Sequence, residues 1–147
     1  ALSERDADIS CAESCTGGLL SSLLTDVEGS SSYFKGTVVA YSNEIKEKLL
    51  DVRHETLEKY GAVSEETARE MARGAMKLMG TTIGVGITGI AGPGGGTETK
   101  PVGRVYIAVV GNHGEQVRVN DFMGSRDDVK LQAASTALRM LVDYYTL

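Results

Sequence analysis

The scarce residue types in this chain of 147 residues exclude several classes of protein. It has 2 Cys, too few for a disulfide-stapled scaffold, and the C-x3-C spacing of Cys11 and Cys15 fits neither a zinc site nor a redox pair. Two free thiols are typical of a reducing cytoplasm, where we expect the protein to work. No apolar run approaches the roughly 18 residues of a membrane-spanning helix, and the polar stretch Ala1–Asp8 is unlike a signal peptide.

Positive charge is also scarce, since 15 Lys and Arg stand against 20 Asp and Glu and give a net charge of -5. Without a Lys/Arg stripe to neutralise phosphates, neither a nucleic acid nor a membrane is expected as a partner. The 2 His are His54, in a charged segment, and His113, in a predicted turn, which disfavours a Ser–His triad. No His/Asp/Glu cluster has ligand spacing, so we expect neither a metal nor a cofactor.

Glycine, in contrast, is abundant: the chain has 18, and eight of them lie between Gly84 and Gly103. The length and the 41% hydrophobic content suit one soluble domain over residues 1–147. Strand-like segments alternate with helical patterns, and a hairpin turn is predicted over 111–114. We therefore predict an α/β fold, a three-layer α/β/α sandwich with a mixed, mostly parallel sheet.

Hydrophobic periodicity predicts where the strands and helices of this fold lie. The strands are expected at 9–13, 33–42, 82–89, 105–110 and 116–122. The helices are expected at 19–27, 43–50, 54–60, 65–79 and from 125 to near the end. The expected N-caps are Asn43, Ser64 and Ser125, with Asp128 in capping-box register with Ser125.

The segment Ala12–Gly18 is the first of three candidate site segments, because a strand there runs into a helix start. Backbone N–H groups and the positive end of the helix converge at such a junction, which favours an anion or an oxyanion. Ser14, Cys15 and Thr16 are potential nucleophiles. The spacing fits equally well a simple helix cap at Ser14 or Thr16, with Gly17 allowing the turn.

The second segment, Thr88–Thr97, is glycine-rich and leads to Lys100. It lacks the G-K-[ST] of a Walker A motif, and the strand predicted after it excludes a dinucleotide-binding fingerprint, which opens a helix. Closely spaced glycine amides can cradle a phosphate, and a flexible surface loop is the alternative interpretation. Lys100 fits either a phosphate contact or a solvated lysine.

The third segment is Gly124–Asp128 at the start of the last helix. Capping accounts fully for Ser125, but Arg126 is not needed for capping. An arginine at a helix N-terminus opposes the helix dipole, and an anionic ligand would offset that unfavourable placement.

A nucleophile also needs a base, and a buried lysine can supply one because desolvation lowers its pKa. Lys46 is the candidate, five residues after Tyr41 at the exit of the second predicted strand. Its charged neighbours Glu47 and Lys48 favour, by composition alone, an exposed lysine on a helix.

Six ordered motifs extend over nearly the whole chain. They are Ala12-Glu13-Ser14-Cys15-Thr16-Gly17-Gly18, Gly29-Ser30-Ser31-Ser32-Tyr33-Phe34, Val39-Ala40-Tyr41-Ser42-Asn43 with Lys46, Gly61-Ala62-Val63-Ser64-Glu65, Thr88-Gly89-Ile90-Ala91-Gly92-Pro93 and Lys100-Pro101-Val102-Gly103. Together they resemble the CinA C-terminal family, whose characterised activity is the deamidation of nicotinamide mononucleotide.

The resemblance implies a serine amidohydrolase that needs no cofactor and converts nicotinamide mononucleotide to nicotinate mononucleotide and ammonia. Ser14 would be the nucleophile and Lys46 the general base, with Tyr41 and Ser31 completing the proton network. The candidate substrate-binding residues are then Cys15, Thr16, Gly17, Thr88, Gly89, Gly94, Gly95, Lys100 and Arg126.

Two other functions fit the same residues. A nucleotide-binding or interaction module related to competence- and damage-inducible proteins would bind the substrate without releasing ammonia. An amidase for another pyridine amide would keep Ser14 and Lys46 but prefer another substrate. The resemblance also implies a homodimer, with the apolar stripe of the last helix as a candidate interface, and in many family members a larger domain precedes this one.

Overall fold

Short apolar segments bounded by glycine or polar turns form the strands of the protein, whose computed structural model describes residues 6–147. In this range the five strands are Ile9–Glu13 (β1), Phe34–Val39 (β2), Ile83–Gly89 (β3), Arg104–Gly111 (β4) and Gly114–Asp121 (β5). The five α-helices are Leu19–Thr25 (α1), Asn43–Leu50 (α2), His54–Tyr60 (α3), Glu65–Met79 (α4) and Arg126–Tyr145 (α5). None of these helices is both long and apolar enough to cross a membrane. The predicted α/β fold is confirmed.

The predicted N-caps of the two longest helices are confirmed, while that of α2 was wrong. Ser64 caps α4, and Ser125 forms a capping box with Asp128 at the start of α5. At α2 the capping side chain is Ser42, which accepts the N–H of the third helical residue, and Asn43 is the first helical residue. Because the chain turns into this cap, β2 ends three residues earlier than predicted.

The first helix is also shorter than predicted. It ends at Thr25, and a 3₁₀ turn at Ser30–Ser32 leads into β2. Val27 was expected on the apolar face of this helix, but it lies beyond the last turn and is 58% exposed. The apolar face therefore consists of the leucines alone, with Leu20 and Leu24 buried.

The five strands form one mixed sheet in the order β2-β1-β3-β4-β5. β1 pairs in parallel with β2 and β3, whereas β4 is antiparallel to both β3 and β5. The sheet is therefore mixed, as predicted, but the prediction that it is mostly parallel was wrong. Residues 90–103 contain no helix that could return the chain to the other end of the sheet, so the strand after them runs backwards.

Buried strand residues alternate between the two faces of the sheet. Cys11 of β1 lies in a buried cluster with Leu20 of α1 and Leu141 of α5. Its neighbour Ala12 lies in a different cluster, with Met71 of α4. One face of β1 is thus covered by α1 and α5, and the opposite face by α4.

Two glycines of β3 allow α4 to lie directly on the sheet. A Cβ atom at Gly84 would stand 2.2 Å from the carbonyl oxygen of Ala72, and one at Gly86 would stand 2.2 Å from that of Ala68. Both distances are far below a normal contact, so only glycine fits at these positions. Part of the glycine excess is therefore required by packing rather than by a ligand.

We expect Gly86→Ala to lower the free energy of unfolding by at least about 2 kcal/mol, because the new methyl group must displace helix backbone. Urea denaturation followed by circular dichroism measures this change. Gly94→Ala is the matched control, since a Cβ at Gly94 meets nothing within 4 Å. Equal stability of the two variants would contradict the close contact between α4 and β3.

The apolar stripe of α5 packs within the chain rather than outward. Its residues in the main buried cluster are Val129, Ala133, Ala134, Ala137, Leu141 and Tyr145. They lie together with β3 and β4 side chains such as Val85 and Ile107. Most of the surface that we considered as a dimer interface is therefore occupied by the core of the same chain.

Candidate active site

The candidate site lies where the three parallel strands end. Carboxyl ends of parallel neighbours meet at one edge of a sheet, which is where α/β proteins commonly bind ligands. Ser14 directly follows β1, Ala40 and Tyr41 directly follow β2, and Thr88 lies one residue before the end of β3. The pairing of β1 with both other strands therefore brings three of the six sequence motifs together.

Ser14 is held at this edge by the sheet itself. Its backbone N–H donates to the carbonyl oxygen of Ile87 at 3.0 Å, which continues the pairing of β1 with β3 by one residue. Alternation along the strand directs Glu13 toward α1, so that Ser14 faces the opposite side, where α2 begins. The Ser14 side chain is buried but borders the cleft described below.

Lys46 reaches Ser14 from the first turns of α2. Side chains on a helix lean toward its N-terminus, and the N-terminus of α2 lies next to the end of β2. Lys46 Nζ lies 3.1 Å from Ser14 Oγ, 2.9 Å from the carbonyl oxygen of Ala40 and 3.4 Å from that of Tyr41. The alternative of an exposed lysine was wrong, because only 1% of the residue is exposed.

Burial changes the protonation of this lysine. Desolvation lowers the pKa of Lys46 below its usual value, an effect partly opposed by the electrostatic influence of Cys15. A lysine with a lowered pKa is neutral in a larger fraction of molecules and can accept a proton from a neighbouring hydroxyl. Lys46 therefore lies within hydrogen-bond distance of Ser14 and holds its proton less strongly than an exposed lysine does.

Cys15, the neighbouring candidate nucleophile, is less well placed for chemistry. It is 7% exposed and borders the same cleft. Burial, reinforced by the negative charge of Glu13, raises the pKa of the Cys15 thiol to about 11. Because the thiolate is the reactive form of cysteine, Cys15 is unreactive near neutral pH compared with a thiol of ordinary pKa.

Thr88 holds a loop that forms another wall of the cleft. Its hydroxyl donates to the carbonyl oxygen of Ala62 at 2.7 Å, and Ala62 and Val63 both border the cleft. Thr88 also borders it, together with Gly89, Gly94 and Gly95 of the glycine-rich segment. That segment therefore forms one side of the site.

Arg126 bridges the mouth of the cleft from the first turn of α5. One guanidinium nitrogen donates to the carbonyl oxygen of Gly92 at 2.7 Å, and the other donates to the hydroxyl of Tyr41 at 3.0 Å. Both acceptors are uncharged, so these contacts leave the positive charge of Arg126 available. Tyr41 is 64% exposed, and its backbone carbonyl rather than its hydroxyl contacts Lys46.

The cleft bordered by these elements has a volume of about 260 Å³. This volume lies just below the range of about 300 to 1,000 Å³ that is typical of small-molecule sites. Among the described residues that line it, Lys46 and Arg126 are the cations, and no Asp or Glu is present. In a chain with a net charge of -5, this cleft favours an anionic ligand.

Four candidate residues do not border the cleft. Lys100 donates from Nζ to the carbonyl oxygen of Tyr60, at the end of α3. Thr16 directs its hydroxyl to Glu13 at 2.6 Å, and Gly17 is an exposed turn residue with φ 62°. The fourth, Ser31, lies elsewhere in the fold.

Ser31 lies at the opposite edge of the sheet from Ser14. It belongs to the 3₁₀ turn before β2, and β2 begins beside Ile9, the first residue of β1. Ser14 follows the last residue of the same strand, and five residues at about 3.3 Å each separate the two edges. Ser31 is exposed, and the structure does not bring it to Lys46 within the chain.

Sequence reasoning assigned no role to Glu13, although it is fully buried and contacts the turn that carries Ser14. A charged residue that ends a wholly buried strand was the available signal, since buried charges are rare without a structural or functional partner. Ala62 and Val63 belong to one of the six sequence motifs, but no role was assigned to them; they border the cleft, and Thr88 holds their loop.

Comparison with known sequences supports the resemblance. The CinA C-terminal domain family matches residues 1–145. A CinA-like protein of Syntrophomonas wolfei is 55% identical over 133 residues, which are 90% of this chain and 32% of that protein. A putative competence-damage inducible protein of Moorella thermoacetica is 51% identical over 140 residues, 95% of this chain and 34% of that protein. The chain thus spans about one third of the length of these curated relatives.

Solved structures agree in fold over most of the chain. The competence/damage inducible protein CihA of Agrobacterium tumefaciens is 41% identical and superposes with a TM-score of 0.90, covering 93% of this chain and 84% of that one. The competence damage-inducible protein A of Klebsiella pneumoniae is 34% identical with a TM-score of 0.94, covering 99% and 90%. With a family match over nearly its whole length, the chain belongs to the CinA C-terminal domain family, whose relatives include competence- and damage-inducible proteins.

Proposed function

We propose that the chain is a serine amidohydrolase that deamidates nicotinamide mononucleotide, with Ser14 as the nucleophile and Lys46 as the general base. The observation that carries the proposal is the 3.1 Å contact between Lys46 Nζ and Ser14 Oγ at a cleft with no acidic lining residue among those described. The reaction consumes water and yields nicotinate mononucleotide and ammonia.

The two carbonyl groups around Lys46 orient its amine. A neutral amine has two N–H bonds and one lone pair, and carbonyl oxygens only accept. When the N–H bonds point to the oxygens of Ala40 and Tyr41, the lone pair remains for the third neighbour, Ser14 Oγ. The amine is then aligned to take the hydroxyl proton.

In the first half of the reaction, Ser14 Oγ attacks the carboxamide carbon while its proton passes to Lys46 Nζ. The carbonyl oxygen becomes an oxyanion, which backbone N–H groups can stabilise. The N–H of Ser14 is already bound to Ile87, so the next group along the chain, the N–H of Cys15, which borders the cleft, is the donor in this mechanism. Lys46 returns the proton to the leaving nitrogen, the C–N bond breaks, and ammonia departs from an ester on Ser14.

In the second half, water attacks the ester carbon and gives a proton to Lys46. The bond between the carbon and Ser14 Oγ then breaks, and the proton returns to that oxygen. The product forms as a carboxylic acid, which releases its proton to solvent and leaves as the carboxylate. Ser14 is regenerated, so a single base serves both halves.

The phosphate of the substrate accounts for the positive charge at the mouth of the cleft. Arg126 opposes the dipole of α5 and is not needed for capping, since Ser125 and Asp128 form the capping box. A phosphate placed there would form charge-assisted hydrogen bonds with the guanidinium. Backbone amides of the Gly94–Gly95 segment supply further donors on the same wall.

Arg126→Gln is expected to raise KM for nicotinamide mononucleotide by roughly 10- to 100-fold, because it removes a charged phosphate contact. KM for nicotinamide riboside, which has no phosphate, is expected to change much less. Steady-state ammonia release with both substrates measures the difference. Arg139→Gln, an exposed arginine on the same helix, is the control. Equal effects on the two substrates would show that Arg126 does not recognise the phosphate.

Ammonia release from the purified protein tests the proposal directly. We expect turnover of nicotinamide mononucleotide and much slower turnover of nicotinamide and its riboside, since only the mononucleotide brings the phosphate. Calorimetric binding without ammonia release would instead indicate a nucleotide-binding module. Faster turnover of a different pyridine amide would be consistent with the serine mechanism but would show that the proposed substrate is wrong.

We also infer that the sheet is the middle layer of the predicted three-layer sandwich. The division of buried residues between a cluster with α1 and α5 and clusters with α2 and α4 supports this arrangement. In such a fold the cleft opens at one edge of the middle layer, where strand ends and helix starts from both faces contribute to it.

A further inference from the structure

A buried carboxylate stands directly before the proposed nucleophile. Glu13 is fully buried at the end of β1. Its Oε1 accepts the hydroxyl of Thr16 at 2.6 Å and the backbone N–H of Leu20 at 3.0 Å. Its Oε2 accepts the N–H of Ser21 at 3.0 Å and the hydroxyl of Ser21 at 2.6 Å. All four partners are donors, which suits an ionised carboxylate because it only accepts.

This carboxylate replaces the missing N-cap of α1. The residue at the cap position is Gly18, which has φ 103° and no side chain to accept a hydrogen bond, and the first turn contains no acidic residue. The free N–H groups of Leu20 and Ser21 are satisfied by Glu13, five residues upstream of Gly18. The positive end of α1 is therefore occupied by the chain itself and not available to a substrate.

Glu13 is fixed at both ends. Its carbonyl oxygen accepts the N–H of Ala40 at 2.8 Å, and the next N–H, that of Ser14, donates to Ile87 at 3.0 Å. Its backbone is thus anchored in the sheet, while its side chain is anchored on α1. The turn over residues 14–18 connects these two anchor points, and the Thr16 hydroxyl is the contact that ties the turn to the carboxylate.

We propose that Glu13 is a positioning residue, which through Thr16 holds the turn after Ser14 so that the backbone N–H of Cys15 points at the developing oxyanion. This inference rests on the proposed serine mechanism. The N–H of Cys15, which borders the cleft, donates to the oxygen only once Ser14 has attacked. Binding energy realised only at that stage affects kcat and leaves substrate binding unchanged.

Two hydroxyl groups on the same carboxylate provide a matched test. Thr16 and Ser21 are both buried, and each donates to Glu13 at 2.6 Å. Thr16 belongs to the turn, whereas Ser21 belongs to α1 and contacts no part of the turn through this bond. Thr16→Val and Ser21→Ala each remove one hydroxyl donor from the same acceptor. The two variants therefore lose comparable interactions and differ in whether the turn is released.

We expect Thr16→Val to lower kcat for ammonia release by roughly 10- to 100-fold with KM unchanged, the range seen when an oxyanion donor is misplaced. Thr16→Ser keeps the hydroxyl and is expected to retain most of the wild-type kcat. Ser21→Ala stays within about threefold of the wild type in kcat, although its urea midpoint falls by a similar amount to that of Thr16→Val. In Glu13→Gln the side-chain NH2 group would face the N–H and hydroxyl donors of Ser21, which destabilises the fold. This variant is therefore measured only if it folds.

A substrate-independent readout separates this inference from the proposed function. A small fluorophosphonate phosphonylates an activated serine: Oγ bonds to phosphorus, fluoride leaves, and the phosphoryl oxygen accepts from the same N–H donor. Its labelling rate at Ser14 therefore reports the turn geometry without an amide substrate. If the wild type is labelled but releases no ammonia, the substrate assignment fails and the labelling rates still decide the role of Glu13. The positioning role is overturned if kcat and the labelling rate decrease equally in Thr16→Val and Ser21→Ala, or decrease in neither variant.

Discussion

Ser14→Ala is expected to lower kcat for ammonia release by roughly 10⁴- to 10⁶-fold, the loss typical of removing a catalytic serine nucleophile. The expected cause is chemical rather than structural. Without Oγ no covalent ester can form, and Lys46 Nζ loses its partner hydroxyl, which lies 3.1 Å away. The removed atom is small and borders an open cleft, so thermal unfolding is expected to change little. A coupled ammonia assay measures the loss of turnover, and calorimetry measures whether the variant still binds nicotinamide mononucleotide.

Cys15→Ala is the paired variant that distinguishes the two adjacent nucleophiles. The kcat of this variant for ammonia release is expected to fall by less than about tenfold. The backbone N–H of residue 15 remains, and the buried thiol of the wild type is protonated near neutral pH. Retained binding with lost turnover in Ser14→Ala, together with retained turnover in Cys15→Ala, identifies the serine. If the losses are reversed, Cys15 is the nucleophile and the Ser–Lys mechanism is wrong.

The secondary structure follows largely from local sequence signals. Ser64 and Ser125 predict the starts of two helices, and the polar segments at strand ends that contain Ser14 and Thr88 are recognised as candidate site segments. These signals act over a few residues, through capping, turn formation and periodicity, and for that reason they are readable without the fold. The hairpin at Gly111–Gly114 is a further example.

The remaining features depend on contacts between distant residues. The burial of Lys46 could not be predicted from its charged neighbours, because its amine contacts Ser14 after β1 and Ala40 after β2, which only the fold brings next to it. Lys100 was equally ambiguous, and it binds the backbone at Tyr60, 40 residues away in sequence. Composition alone shows how many lysines a chain has, but the tertiary structure determines which of them is buried from solvent.

Lys46→Met is expected to lower kcat/KM by about 10⁴-fold, because it removes the base that activates Ser14 while keeping a side chain of similar length. In the wild type, kcat/KM is expected to rise with pH as Lys46 loses its proton, with a midpoint below the usual lysine value of 10.5. The residual activity of the variant is expected to lack this rise. Lys48→Met, an exposed lysine on the same helix, is the control and keeps the wild-type profile.

The same variant tests the lowered pKa of Lys46 by a measurement that involves no substrate. Between the lowered pKa of the folded state and the usual 10.5, the unfolded chain binds more protons at this lysine than the folded chain does. The free energy of unfolding therefore rises with pH across this window in the wild type and in Lys48→Met. Lys46→Met has no titrating group at this position, so its free energy of unfolding lacks this rise. Its stability relative to the wild type is therefore highest on the acid side of the window and decreases as the pH rises. Urea denaturation at a series of pH values shows the difference, and parallel curves for the wild type and Lys46→Met would mean that burial does not alter the proton affinity of Lys46.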